Sequence, residues 1–300
     1  MCPRPVGRGF GCGPRSNCYA APMSTPFFAL TPTHNPHRWY LPLHEGLCVG
    51  PVGRSFMFGG VGLAAAIQAM ERTCERPVIW ATAQYLSYAR PPSVVDLDVW
   101  VPAAGRNTSQ ARVTGHVGDK EIFTVNAALG SRESPHSQQW VDMPSVPGPE
   151  DCKHTDHWRG DDEGLHGQIE MRLVQGNYGF SMGERGPAKD GRLILWMRPK
   201  SGQDIDAATL AIFADHVPSG IGNALGLNAG GNSLDNTIRI VRLVPTKWVL
   251  CDISIAAVHA GFGHGAMRLF SEDGVLMATA SQSVIVRVHE PRGKTNEDAD

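Results

Sequence analysis

The chain has 300 residues, 42% of them apolar, enough to bury one large core or two of ordinary size, and two is the starting expectation. Its 27 basic and 29 acidic residues are spread along the chain and leave a formal net charge of −2, which gives no electrostatic basis for binding nucleic acid or an anionic membrane surface. No apolar run approaches the ~20 residues that cross a bilayer, and the start lacks the continuous apolar segment of a secretory signal, so a soluble, cytoplasmic protein with small-molecule or protein partners is expected.

The first 22 residues, MCPRPVGRGFGCGPRSNCYAAP, are rich in Gly, Pro, Arg and Cys, show no periodicity and precede Met23. They read as an over-extended start, with a native chain beginning at Met23 and a flexible segment over residues 1–39. Seven cysteines, at positions 2, 12, 18, 48, 74, 152 and 251, form no CxxC pair and are odd in number, so neither a disulfide framework nor a zinc knuckle is expected.

A first domain is expected over residues 40–133. Its helix is GGVGLAAAIQAMERTC, residues 59–74, where Leu63, Ala66, Ile67 and Met70 recur at three- and four-residue steps. Four strand-like segments follow, WATAQYLSY at 80–88, VVDLDVWVP at 94–102, SQARVTGHV at 109–117 and EIFTVNAAL at 121–129, separated by the turn signals ARPP, PAAGRN and VGDK. The layout is one helix and an antiparallel meander. Residues 134–164, rich in Pro, Asp, His and Ser, read as an interdomain connection.

The second domain is expected over 165–290. Strands GQIEMRLV at 167–174 and RLILWMR at 192–198 lead to a helix over 204–215, DIDAATLAIFAD, with Leu210, Phe213 and Ala214 on one face. GIGNALGLNAGGN, residues 220–232, reads as a flexible glycine-rich connection; it lacks the GxxxxGK[ST] pattern of a nucleotide loop. Strands near LDNTIRIV, KWVLCDISIAAV, GAMRLFS and VLMATASQSVIVR follow, and residues 291–300 form a charged tail expected to be disordered. The order of the first half recurs about 155 residues later with little residue identity. The expected fold is α+β, two repeats each of a curved antiparallel sheet wrapped around a central helix, joined edge to edge.

The order and spacing of several motifs resemble one family. In the first half these are FGG at 58–60, YARPP at 88–92, GRNTSQARV at 105–113, EIF at 121–123 and MPSVPGP at 143–149. In the second they are FAD at 213–215, NSLDNTI at 232–238, KWVLCD at 247–252, GHGAMRLFSEDGVLMAT at 263–279 and SQSVIVR at 281–287. Over residues 40–287 the chain resembles the acyl-CoA thioesterase II (TesB-like) family of double hotdog thioesterases. The resemblance implies hydrolysis of acyl-CoA without metal or cofactor, and a catalytic set of Asp215, Ser233 and Gln282. Ser233 stands where many members carry threonine and Asn236 where many carry histidine; Ala111 replaces a frequent arginine, with Arg112 beside it. Ala128 or a neighbouring apolar residue occupies the first-half position of Gln282, which implies one active site per chain, in the second repeat.

Those residue types suit the chemistry. Thioester hydrolysis needs a water aimed at the carbonyl carbon and a donor at the oxygen where charge develops. Asp215 is the candidate base, while the Ser233 hydroxyl and the Gln282 amide can orient a water. Gly59 and Gly60, opening the first helix, are candidates to present bare backbone N–H groups to the oxyanion.

In isolation Gln282 reads as a solvent-facing strand residue, Asp215 as a solvated helix end and Ser233 as a turn residue. His216, adjacent to Asp215, points ~100° away on a helix and makes a poor triad partner. CKHTDH at 152–157 has metal-tolerant spacings but no second cluster. Two other functions compete with hydrolysis. An enoyl-CoA hydratase or dehydratase would draw on the HxxxG fragment at 259–263, which lacks a following proline; a non-catalytic acyl-CoA binder would need the pocket alone. Association through sheet edges makes a homo-oligomer the expected assembly.

Overall fold

The computed structural model describes residues 27–51, 53–155, 163–178 and 186–289. The expectations for residues 1–22 and 291–300, and the Asp156 and His157 of CKHTDH, lie outside these described residues.

The strands in chain order are β1 (Thr31–Pro32), β2 (Arg38–Leu43), β3 (Cys48–Val49), β4 (Phe56–Met57), β5 (Val78–Tyr85), β6 (Ser93–Ala104), β7 (Thr108–Val117), β8 (Lys120–Gly130), β9 (Lys153–His154), β10 (Ile169–Gln175), β11 (Arg192–Pro199), β12 (Ala229–Ser233), β13 (Asp235–Ile240), β14 (Val249–His259), β15 (Phe262–Ser271) and β16 (Leu276–Val288). The helices are α1 (Gly59–Cys74), α2 (Ala207–Ala214) and α3 (Ser219–Leu225). Among the described residues, fourteen strands form a single antiparallel sheet in the order β1-β2-β6-β7-β8-β5-β13-β16-β15-β14-β11-β10-β9, with β12 also paired to β16.

The centre of the sheet is the pairing of β5 with β13. There Thr82 faces Thr237, and their hydroxyls are 2.7 Å apart. These two residues are 155 positions apart. The same offset carries β6, β7 and β8 onto β14, β15 and β16 to within one or two residues at their starts. Pairing of β5 with β13 closes two sheet edges that would otherwise expose unpaired backbone.

One face of the sheet buries the helices. In α1 every residue from Gly60 to Met70 is buried, because a run of Ala, Leu, Ile and Met leaves no polar face to solvate. All of α2 is buried too, and it packs against α1. Its N-terminus is capped by Asp206, whose carboxylate accepts the Thr209 N–H at 2.7 Å, so the helix starts three residues later than DIDAATLAIFAD implies. On the opposite face, Ile194, Trp196, Trp248, Leu250 and Phe270 form a second cluster covered by Val141, Met143 and Val146. Trp196 Nε1 donates to the Pro147 carbonyl at 3.0 Å. Residues 141–147 of the connection therefore cover this face.

Two expectations are corrected. Residues 27–39, assigned to a flexible segment, bury Phe27, Phe28 and Leu30 and supply β1 and the start of β2. Apolar burial outweighs the local Pro and Asn content there. Residues 220–232, assigned to a flexible connection, form most of α3 and β12. Glycine serves contact at one position and backbone conformation at another: a Cβ on Gly220 would lie 2.9 Å from Ile253 Cγ2, and Gly226 ends α3 with a left-handed φ of 66°.

Candidate active site

Asp215 ends α2 and is buried, 5% exposed, against the opening turn of α1. The N-cap of α1 is Phe58, which offers no side-chain acceptor, so the first amides of the helix need partners from elsewhere. Asp215 supplies one: its Oδ2 accepts the Gly60 N–H at 2.6 Å. Glycine is required at both first positions by close approach. A Cβ on Gly59 would sit 2.8 Å from Asp215 Oδ2, and one on Gly60 would sit 2.9 Å from Asp215 Cβ and 2.9 Å from Ile212 Cα. A bare N–H at Gly60 is therefore corrected, since that donor holds the carboxylate; Gly59 stays the candidate oxyanion donor.

The other carboxylate oxygen is reached from β12, β13 and β16. Ser233, at the end of β12, donates Oγ–H to Asp215 Oδ1 at 3.3 Å, and Asn236 Nδ2 of β13 donates at 3.4 Å. Gln282 Nε2 donates to the same oxygen in a short contact and lies 3.0 Å from Ser233 Oγ. Gln282 points inward because it shares the alternation of Ala280 and Val284, buried on either side of it in β16. It also stands where β16 changes partner. Thr237 faces Ser281, while Ser233 faces Val284, and the gap is bridged by the Leu234 N–H to the Ser283 carbonyl at 2.8 Å.

The carboxyl, hydroxyl and carboxamide singled out in the sequence are thus within hydrogen-bonding reach of one another. Asn236, noted there only as a departure, joins them. Two further side chains were not singled out for the site. Tyr85 lies within the strand-like segment at 80–88 and Phe58 opens the FGG motif, and both line the cleft beside Asp215. The cleft has a volume of about 490 Å³, with Val49, Phe56, Tyr88 and Ile285 among its walls.

Electrostatics separate the two titratable neighbours at the end of α2. Burial pushes the Asp215 carboxyl up from 3.8 to about 7, against the downward pull of its donors Gln282, Gly60, Ser233 and Asn236. Burial, with a lesser contribution from His166, holds His216 down at about 3, so its ring is neutral at neutral pH. His216 Nδ1 lies 3.2 Å from the Phe213 carbonyl, and the ring packs on Phe58 with centroids 5.4 Å apart. It is a wall of the cleft. His259, of the HxxxG fragment, is exposed at the tip of the β14–β15 hairpin and is not among the residues that line the cleft.

Residues 49–130 match the family model of the acyl-CoA thioesterase N-terminal domain, and residues 149–286 match that of the acyl-CoA thioesterase C-terminal domain. The chain belongs to the acyl-CoA thioesterase family. A candidate thioesterase from Novosphingobium aromaticivorans DSM 12444, known as a crystal structure, is 33% identical with a TM-score of 0.76, over 87% of this chain and 99% of that one. Acyl-CoA thioesterase II TesB2 from Mycobacterium marinum shares the fold at 18% identity and a TM-score of 0.66, covering 87% and 97% of the two chains. A hotdog-fold protein of unknown function from Alicyclobacillus acidocaldarius shares it at 19% and 0.75, covering 88% and 96%. No curated protein matches the chain. Among the described residues no helix is long and apolar enough to cross a membrane.

Proposed function

We propose that this family member is a double hotdog acyl-CoA hydrolase that cleaves fatty acyl-CoA to the free acid and CoA, with Asp215 as general base. The observation that carries this reading is a buried carboxylate poised near pH 7 and held by donors on both oxygens, beside an apolar-walled cleft. In the proposed reaction Ser233 and Gln282 orient a water, Asp215 takes its proton, and the water oxygen attacks the thioester carbon. Negative charge on the carbonyl oxygen is met at the N-terminus of α1, where Gly59 is the candidate backbone donor. Collapse of the intermediate breaks the C–S bond and expels the CoA thiolate, which takes up from Asp215 the proton that came from water. Every atom transferred comes from water and substrate.

The repeat also gives a physical basis for one active site per chain. At the 155-residue offset fixed by Thr82 and Thr237, Ser233 corresponds to Val78 and Gln282 to Ala127, both buried apolar residues. A second cleft of about 480 Å³ lies at the other ends of the helices, lined by Glu71, Val78 and Ala207. Its helix N-terminus is already capped by Asp206, and the Glu71 carboxylate accepts the Val78 N–H at 2.8 Å. That cleft has neither a hydroxyl and amide pair around its carboxylate nor an uncapped helix start.

Thiol release on mixing the purified chain with short, medium, long and branched acyl-CoAs is the test. Release from at least one class is expected. Loss of enoyl absorbance without free thiol would instead identify a hydratase, and tight binding with no turnover on any chain length would identify a binder.

A further inference from the structure

Tyr85 lies on the inward face of β5, in line with the buried Ala81 and Ala83, so its ring points toward the helices. The end of the strand is pinned by the Tyr85 N–H, which donates to the Leu234 carbonyl at 3.0 Å. The phenol oxygen is buried and makes no hydrogen bond of normal geometry. Asn236 lies near enough to interact weakly with the phenol by hydrogen bonding, which pulls its pKa down, but the contact falls short of full hydrogen-bond geometry and leaves the donor under-satisfied. Burial first, and then the charge of Asp215, hold the Tyr85 hydroxyl well above its ordinary pKa, so it keeps its proton. A buried donor left unpaired costs stability, and retaining one beside a reactive site calls for a reason.

Gly59 supplies the geometry. A Cβ there would lie 3.1 Å from Tyr85 Oη, 2.9 Å from Tyr85 Cζ and 2.8 Å from Asp215 Oδ2. The phenol and the carboxylate therefore both pack against the first residue of α1, closely enough that only glycine fits there, and all three line the cleft. We propose that Tyr85 is a catalytic oxyanion donor, its hydroxyl hydrogen-bonding the thioester carbonyl oxygen beside the opening amides of α1. This rests on the hydrolase reading above and adds to it a side-chain donor. As water attacks, the carbonyl π pair moves onto oxygen and the existing O–H of Tyr85 bonds to it more strongly; the phenol keeps its proton throughout. When the oxyanion collapses, the pair returns, the C–S bond breaks and the hydrogen bond weakens again. Because the donor is fixed before reaction, it favours the intermediate over the neutral carbonyl, so its effect falls on kcat rather than on binding.

Tyr85→Phe removes the hydroxyl and keeps the ring. Expected is a fall in kcat of about 100-fold or more on the best acyl-CoA substrate, with KM within about threefold of the parent. The melting temperature should hold or rise, since an unpartnered buried oxygen has been removed, and this shows that the loss is not one of folding. The rise in rate with pH near 7 should persist, because that limb belongs to Asp215. A kcat within about threefold of the parent overturns the proposal. So does a variant whose pH limb moves while its plateau rate is unchanged, since Tyr85 would then only tune the base. A parent that releases no thiol from any acyl-CoA overturns the hydrolase reading, and the role of Tyr85 with it; an active parent with an unaffected variant overturns the role of Tyr85 alone.

Discussion

Asp215→Asn tests stability and activity together, because the same carboxyl governs both in opposite senses. Its folded pKa is raised from 3.8 to about 7, with burial the largest cause. Between those values the folded chain holds a proton that the unfolded chain has lost, so the unfolded state binds fewer protons and stability falls as pH rises. The stabilising contribution is complete below about 4 and lost above about 7. At about 1.4 kcal/mol per pH unit, that interval is on the order of 4 kcal/mol, an upper figure for one buried group. Catalysis runs the other way, since only the carboxylate accepts a proton from water; activity should climb through pH 7 just where this stability is spent. Asparagine cannot titrate. Denaturant melts of parent and variant at pH 5 and pH 8.5 should therefore show the parent losing stability relative to the variant by a few kcal/mol across that range, while the variant loses about 10²- to 10⁴-fold in kcat at pH 8. A stability difference independent of pH would refute the burial argument. Turnover within tenfold of the parent would refute the role as base.

Gln282→Glu places a second acid against Asp215 Oδ1, and like charges at that distance resist joint ionisation, so the rise of rate with pH should move upward by a unit or more and the plateau should drop; a pH–rate profile matching the parent's would count against the contact. Gly60→Ala drives a methyl to 2.9 Å from Asp215 Cβ and Ile212 Cα in the packed interface of α1 and α2. It should cost about 1–3 kcal/mol in chemical denaturation and lower kcat as the carboxylate shifts, and a fully stable, fully active variant would show that the helices can part without consequence.

Local pattern carried much of the architecture. The periodicity of residues 59–74 locates α1 because Ala, Leu, Ile and Met at helical steps both favour the helix and demand burial. Alternation with turn signals locates β6, β7 and β8 to within about two residues. Local pattern failed where long-range burial overrode composition: Phe27, Phe28 and Leu30 anchor a segment that looks like a tail, and Gly220 of α3 marks close packing against β14. Within the site, the types of Asp215, Ser233 and Gln282 were legible through a resemblance in motif order, whereas Tyr85 carried no signal in its own strand.

The sequence alone determined the chemical alphabet of the site and the repeated order of helix and strands, because residue type and hydrophobic period are local properties. Tertiary structure alone decided that Gly60 serves Asp215, 155 residues away, and that Gln282 faces in where β16 changes partners. Burial of a carboxylate, and hence a base poised near neutral pH, comes from distant segments packing together; no window of the chain contains it.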